Sequence, residues 1–256
     1  MARPTHGRQP AYLEIAHKIR RDITSGALPA GTRLNEQQLM DDSHVSRGTV
    51  RQAIGELVSL GVVASQNGKG HFVRAPVRLT WRASDPEQND GAAIPSDAWS
   101  RSVRTQGHEP SERISCEVAY ADERIAEFLD VPTGEPVSIR RRLRYVDGDP
   151  FAIADSWYPR SIVAGSAIEL PADISPGIYE VFARLGRPWV RTVDTWVARA
   201  PSYEEAALLI IPRGIPVAEV VRRSFDKDDV PVRLTLFTLP GDRHEIQYEH
   251  EEARTT

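Results

Sequence analysis

The sequence predicts an α+β protein in two parts: a small helical head closed by a β-hairpin, and a larger body made of an antiparallel sheet with helices packed on one face. Three observations carry this. Apolar residues recur at helical spacing through the first 60 positions, an Asn-Gly pair sits between two β-prone runs near residue 67, and the body contains a repeat with an offset of 80 residues.

The first helix starts near Ala11. Tyr12, Ile15, Ala16, Ile19 and Ile23 share one face, Glu14, His17, Lys18 and Arg21 fall largely on the other, and Ser25-Gly26 ends the run. After the turn LPAGTRL, Asn35 is placed to cap a short helix that contains Leu39 and Met40. A short turn around Ser43 to Val45 leads to a third helix. Ser46 stands at its N-cap, Val50, Ala53, Ile54, Leu57 and Leu60 mark its apolar face, and Gly61 is placed to end it. Two helices so joined make a helix-turn-helix. In VVASQNGKGHFV the Asn67-Gly68 pair suits a turn in which both central residues have positive φ, so the segment reads as a hairpin, or wing.

Pro76 closes the head, giving a first domain over 1–76. Residues 77–96 contain SDPEQNDGAAIPS and show no periodicity, so they read as a linker. The body spans 97–256. Within it AEFLDVPTGEPV (126–137) aligns without gaps with AALLIIPRGIPV (206–217), and with one residue inserted Asp147 and Pro150 match Asp228 and Pro231. Each half therefore reads as helix, tight turn, strand, hairpin, strand, and two copies predict one antiparallel sheet built from related halves.

Charge separates the two parts. The 256 residues carry 32 Lys plus Arg and 36 Asp plus Glu; residues 1–76 have a net charge of +4 and the rest −8. A basic head on an acidic body points to a polyanion partner for the head alone. The single cysteine, Cys116, excludes an intramolecular disulfide and an all-cysteine metal site. No apolar run approaches the roughly 20 residues of a membrane-spanning helix, and MARPTHGRQPAY lacks a signal-peptide core. A cytoplasmic protein with no membrane association is expected. The histidines are scattered, and no HExxH, GxSxG or phosphate-cradling loop occurs, so no catalytic residue, metal site or cofactor is expected.

Arg47 and Arg51 lie four apart on the polar side of the third helix, with Thr49 between them and Ser46 at its start. A helix fits the major groove, and arginine pairs bidentately with guanine. The stretch GALPAGTRLNEQQLMDDSHVSRGTVRQAIGELVSLGVVASQNGKGHFV resembles the winged helix-turn-helix of GntR-type bacterial transcription regulators, chiefly through VSRGTVRQA and NGKGHFV. The resemblance implies that Ser46, Arg47, Thr49 and Arg51 meet operator DNA in the major groove, while Asn67, Gly68 and Lys69 approach the minor groove. Gln37 stands where many members carry arginine, and Asn35 follows Leu34 without the usual proline, so Gln37 is a further DNA-facing position at which this chain departs from the family.

Over residues 97–250 the body resembles the UTRA domain of HutC-type members, through RRRLRYVDGDP and SWYP, ARAPSYEEAALLIIPRGIPV, and DDVPVRLTLFTLPGDRHEIQYE. The resemblance implies a chorismate-lyase-like fold that binds a small-molecule effector and forms a homodimer; kinship of fold does not bring lyase activity with it. Ser138, Arg140, Arg142 and Arg144 alternate on one strand, so three guanidiniums share a sheet face. Such a set requires water, partner carboxylates or an anionic ligand. In relatives that sense phosphorylated sugars, the arginines matching Arg142 and Arg144 hold the phosphate. Their sugar-reading carboxylates fall here at Ala154 and Arg233, and their tyrosine falls at Leu239. An anionic effector held by Arg142, Arg144 and Arg233 is expected, and Trp157, Trp189 and Trp196 are expected in the core.

Overall fold

The computed structural model describes residues 10–66, 68–74, 77–83, 98–174 and 177–249. Among them no helix is long and apolar enough to cross a membrane. The chain forms two compact units whose main division falls between residues 76 and 77.

The first unit contains α1 (Ala11–Thr24), β1 (Arg33–Leu34), α2 (Glu36–Ser43), α3 (Arg47–Ser59), β2 (Val63–Gln66) and β3 (Gly70–Val73). The side chain of Asn35 accepts the amides of Gln37 and Gln38, satisfying two donors that open α2. His44 then takes the left-handed conformation (φ 51°), which stops α2 and turns the chain toward α3. Ser46 caps α3 by accepting the Thr49 amide. Val50, Ala53, Ile54 and Leu57 are fully buried against Ile15, Ala16 and Ile19 of α1 and Val63 and Val73 of the hairpin. Leu60, expected on that face, is 36 % exposed, because it is the C-cap of α3 where the backbone turns away. Strand β1, which sequence reading did not foresee, pairs Arg33 with Phe72 and Leu34 with His71, giving a three-stranded sheet in the order β1-β3-β2. Two residues are too short to show a period.

The second unit runs β4 (Leu79–Arg82), α4 (Ala98–Thr105), β5 (Pro110–Tyr120), α5 (Glu123–Leu129), β6 (Pro136–Val146), β7 (Asp149–Pro159), α6 (Arg160–Val163), a 3₁₀ turn (Ala167–Glu169), α7 (Ile178–Arg184), β8 (Trp189–Arg199), α8 (Tyr203–Leu208), β9 (Val217–Asp226), β10 (Pro231–Pro240) and β11 (His244–Gln247). Its main sheet is antiparallel, in the order β5-β6-β7-β10-β9-β8. The repeat is visible in this order. Two three-stranded meanders meet at the β7–β10 pair, where Asp155 and Leu236, equivalent positions of the two halves, stand opposite each other. Each half also has a long leading strand, β5 or β8, ahead of the helix with which the sequence repeat begins.

Helices cover both faces of this sheet, not one. Helix α5 packs Ile125, Ala126 and Leu129 on Val137, Ile139, Val221 and Leu234. The opposite face carries Ala152, Ala154, Val220 and Phe237, covered by Val103 of α4 and by Leu79 of β4. Residues 79–82 lie in the stretch read as a linker, but here they form a strand parallel to β11, with Leu79 opposite His244 and Arg82 opposite Gln247. Its partner lies more than 160 residues away, so no local pattern marked it. Residues 84–97 lie outside the described residues.

Candidate functional site

The first unit presents a polar face at the start of α3. Arg47 and Arg51 are exposed, and the hydroxyls of Ser46 and Thr49 lie 3.0 Å apart at the cap. Arg51 donates through Nε to Glu36 of α2 at 3.2 Å, which orients the guanidinium, while its two terminal nitrogens make no hydrogen bond among the described residues. Gln37 is exposed on α2, and its side-chain amide donates to Asp41 at 3.1 Å. At the wing, Gly68 has φ 74° and Lys69 is exposed, its backbone amide donating to the carbonyl of Gln66. Asn67 lies outside the described residues. The first unit thus carries exposed arginines on the opening turns of α3 and an exposed lysine near the hairpin turn.

The second unit holds a cavity of about 160 Å³ on the arginine-bearing face of the main sheet. Strand register lays its floor out in rows. One row runs Cys116, Arg140, Ser156, Thr235, Arg222, Asp194 across all six strands, and the next runs Ile114, Arg142, Ala154, Phe237, Val220, Trp196. Arg140, Arg142, Arg144, Arg222 and Arg233 are each 7 % exposed or less, so each guanidinium needs an acceptor within the protein or on a ligand.

Their partners differ. Arg140 donates to the carbonyls of Leu170 (2.6 Å) and Ala172 (2.5 Å), pinning the segment after the 3₁₀ turn, and it does not line the cavity. Arg144 donates through Nε to Glu112 at 2.8 Å and lies 4.6 Å from the ring of Trp99. Arg222 forms a two-pronged pair with Asp194 and lies 5.2 Å from the ring of Trp81. Arg142 meets only neutral acceptors: the Ala154 carbonyl at 3.4 Å and the Ser156 hydroxyl at 3.1 Å. Asp155, whose charge Arg142 feels, faces the other side of the sheet, where Arg141 donates to it at 2.9 Å; burial nonetheless leaves its carboxyl above the usual range. Arg233 donates to Thr235 at 2.9 Å, and the hydroxyls of Thr235 and Ser156 are 2.8 Å apart. A continuous chain therefore links Arg142, Ser156, Thr235 and Arg233 beneath the cavity.

Six arginines line the cavity, against a single carboxylate among the described residues, Glu180 of α7. His244 also lines it, its ring tilted 48° to that of Phe151 at 4.3 Å, with Nδ1 3.0 Å from the Pro240 carbonyl. Burial, aided by Arg243 and Arg144, lowers its pKa to about 4, so it is a neutral wall at physiological pH.

The structure thus brings Arg142, Arg144 and Arg233 to one cavity, while Ala154 and Leu239 are apolar members of its surroundings. Sequence reading missed Arg222, although the 80-residue offset relates it to Arg142 and could have found it. Trp157 and Trp196 are partly buried against core clusters. Trp189 is buried in the core and also lines the cavity, 5.3 Å from the Arg233 guanidinium. Core and lining are the same residue there.

Comparison with known proteins finds two family matches in this chain. Residues 11–73 match the family described as bacterial regulatory proteins, gntR family, and residues 105–245 match the UTRA domain. The chain is 29 % identical over 250 residues to the HTH-type transcriptional regulator Rv0792c of Mycobacterium tuberculosis, covering 95 % of this chain and 87 % of that protein. It is 25 % identical over 243 residues to the "Probable fructoselysine utilization operon transcriptional repressor" of Escherichia coli K12, covering 90 % of each. The crystal structure of the effector domain of PhnF from Mycobacterium smegmatis superposes with a TM-score of 0.54 at 26 % identity, covering 60 % of this chain and 95 % of that one. With a winged head, a UTRA body and relatives of one kind along nearly its whole length, the chain belongs to the GntR family of bacterial regulators, HutC type, and is a DNA-binding transcription regulator with an effector-binding domain.

Proposed function

We propose that the protein is a repressor that binds a two-fold operator as a homodimer in the cytoplasm and releases it when an anionic small molecule occupies the cavity, sensing that molecule without converting it. Ser46, Arg47, Thr49 and Arg51 read the major groove, with Gln37 and the wing residues Asn67, Gly68 and Lys69 completing the interface. Arg142, Arg144 and Arg233 hold the effector. The repressor role is supported by the name of the Escherichia coli relative.

One observation carries the effector reading: Arg142 is 5 % exposed, and its hydrogen bonds end on neutral oxygens. Arginine does not lose its proton in proteins, and an uncompensated buried charge costs several kcal/mol. A bound oxyanion supplies paired, charge-assisted hydrogen bonds in a geometry that suits the guanidinium fork. The test uses an operator obtained by selection from random DNA, with release measured by fluorescence anisotropy across a panel of anionic metabolites. Arg142→Ala is expected to bind operator like the parent and to lose release at least ten-fold in effector concentration. A parent released by neutral or cationic compounds alone, or an Arg142→Ala protein released like the parent, would reject the reading.

A further inference from the structure

We infer that the effector is an aromatic acid, a flat apolar ring bearing one oxyanion, rather than a polyhydroxylated phosphate. This rests on the anionic-effector reading above and concerns the rest of the ligand. The cavity is walled by Trp81, Trp99, Phe151, Tyr179, Trp189 and Phe237, with Leu79, Val103, Ile178 and Leu239 between them. Such walls stack on rings and leave hydroxyls without partners.

Several polar groups of the lining are already engaged within the protein. Gln106 accepts the Thr80 amide at 2.8 Å and donates to the Thr80 carbonyl and to the carbonyl and hydroxyl of Ser102, so this cluster ties β4 to α4 instead of facing a ligand. Asp194 holds Arg222 and Glu112 holds Arg144, and both of these guanidiniums lie over aromatic rings. A sugar needs acceptors for several hydroxyls, and each one buried without a partner is penalised. Glu180 is the sole carboxylate in the described lining. At the Arg142 end the requirement reverses. The Arg142–Ser156–Thr235–Arg233 chain joins guanidiniums from the two halves of the repeat and forms one cationic cradle beside the aromatic walls.

The test is isothermal titration of the full chain with phenylacetate, indole-3-acetate, the neutral isostere phenylacetamide, glucosamine 6-phosphate and inorganic phosphate. The aromatic acids are expected to bind at least ten-fold more tightly than glucosamine 6-phosphate and than phenylacetamide. Trp99→Leu, which also removes the ring beside Arg144, is expected to weaken phenylacetate at least five-fold more than it weakens inorganic phosphate. Tighter binding of glucosamine 6-phosphate overturns the aromatic assignment and leaves the anionic reading standing. Equal binding of phenylacetamide and phenylacetate overturns both. Absence of binding by either aromatic acid, or equal losses of phenylacetate and phosphate in Trp99→Leu, also overturns the aromatic assignment.

Discussion

Asp194 grips Arg222 with both carboxylate oxygens, accepting from Nε at 2.7 Å and from Nη2 at 2.6 Å across the β8–β9 register. The equivalent arginine of the other half, Arg142, has Ile114 at the place of Asp194 and makes no ion pair among the described residues. An internal repeat has thus kept two arginines in one cavity and neutralised one of them. The asymmetry gives the cavity a direction.

Asp194→Asn is expected to destabilise the unliganded protein by about 1–3 kcal/mol, because it replaces the charge-assisted two-pronged pair on the buried Arg222 guanidinium with weaker neutral hydrogen bonds. Chemical denaturation measures this. Added phosphate or carboxylate is expected to restore part of the loss, since an anion can then sit on Arg222; a variant as stable as the parent would mean that water already reaches this pair.

In the head, Arg47→Ala and Arg51→Ala are each expected to cost about 1–3 kcal/mol of specific operator binding with the fold intact, as both side chains are exposed and off the buried stripe. Arg51→Ala also breaks the Glu36 pair, but an exposed pair contributes only about 0–1 kcal/mol to stability. Circular dichroism and operator titration separate the two effects.

Lys69→Ala is expected to weaken specific and non-specific DNA alike and to reduce the salt dependence of binding by about one unit, as loss of one phosphate contact requires. Titrations at several salt concentrations check it. An unchanged slope would place the lysine away from the phosphates.

Acid stability is expected to fall in two separate windows. The pKa of His244 is lowered from 6.5 to about 4 by burial, so the unfolded chain binds its proton first. Its contribution is complete above about 6.5 and declines as pH falls toward 4. Glu205 is lowered from 4.5 to about 2, chiefly by the two-pronged donation from Arg199, with further help from the Ser202 amide and the Thr238 hydroxyl. Its contribution is present above about 4.5 and is lost as pH falls through 2. Denaturation against pH is expected to show a flatter upper window in His244→Gln and a flatter lower window in Glu205→Gln.

Much of this molecule is written locally. Helical spacing places Val50, Ala53, Ile54 and Leu57 inward, Asn35 and Ser46 cap the helices they precede, and strict alternation puts Arg140, Arg142 and Arg144 on one side of β6, because each follows from backbone geometry within a few residues. What each arginine does is not local. Leu170 and Ala172 claim Arg140 from a distant loop, Glu112 claims Arg144 across a strand pair, and Arg142 is left to hydroxyl and carbonyl oxygens. The pairing of β4 with β11 closes the cavity from opposite ends of the second unit. Periodicity decides which way a side chain points; only the register of strands and the path of long loops decide what stands there to meet it.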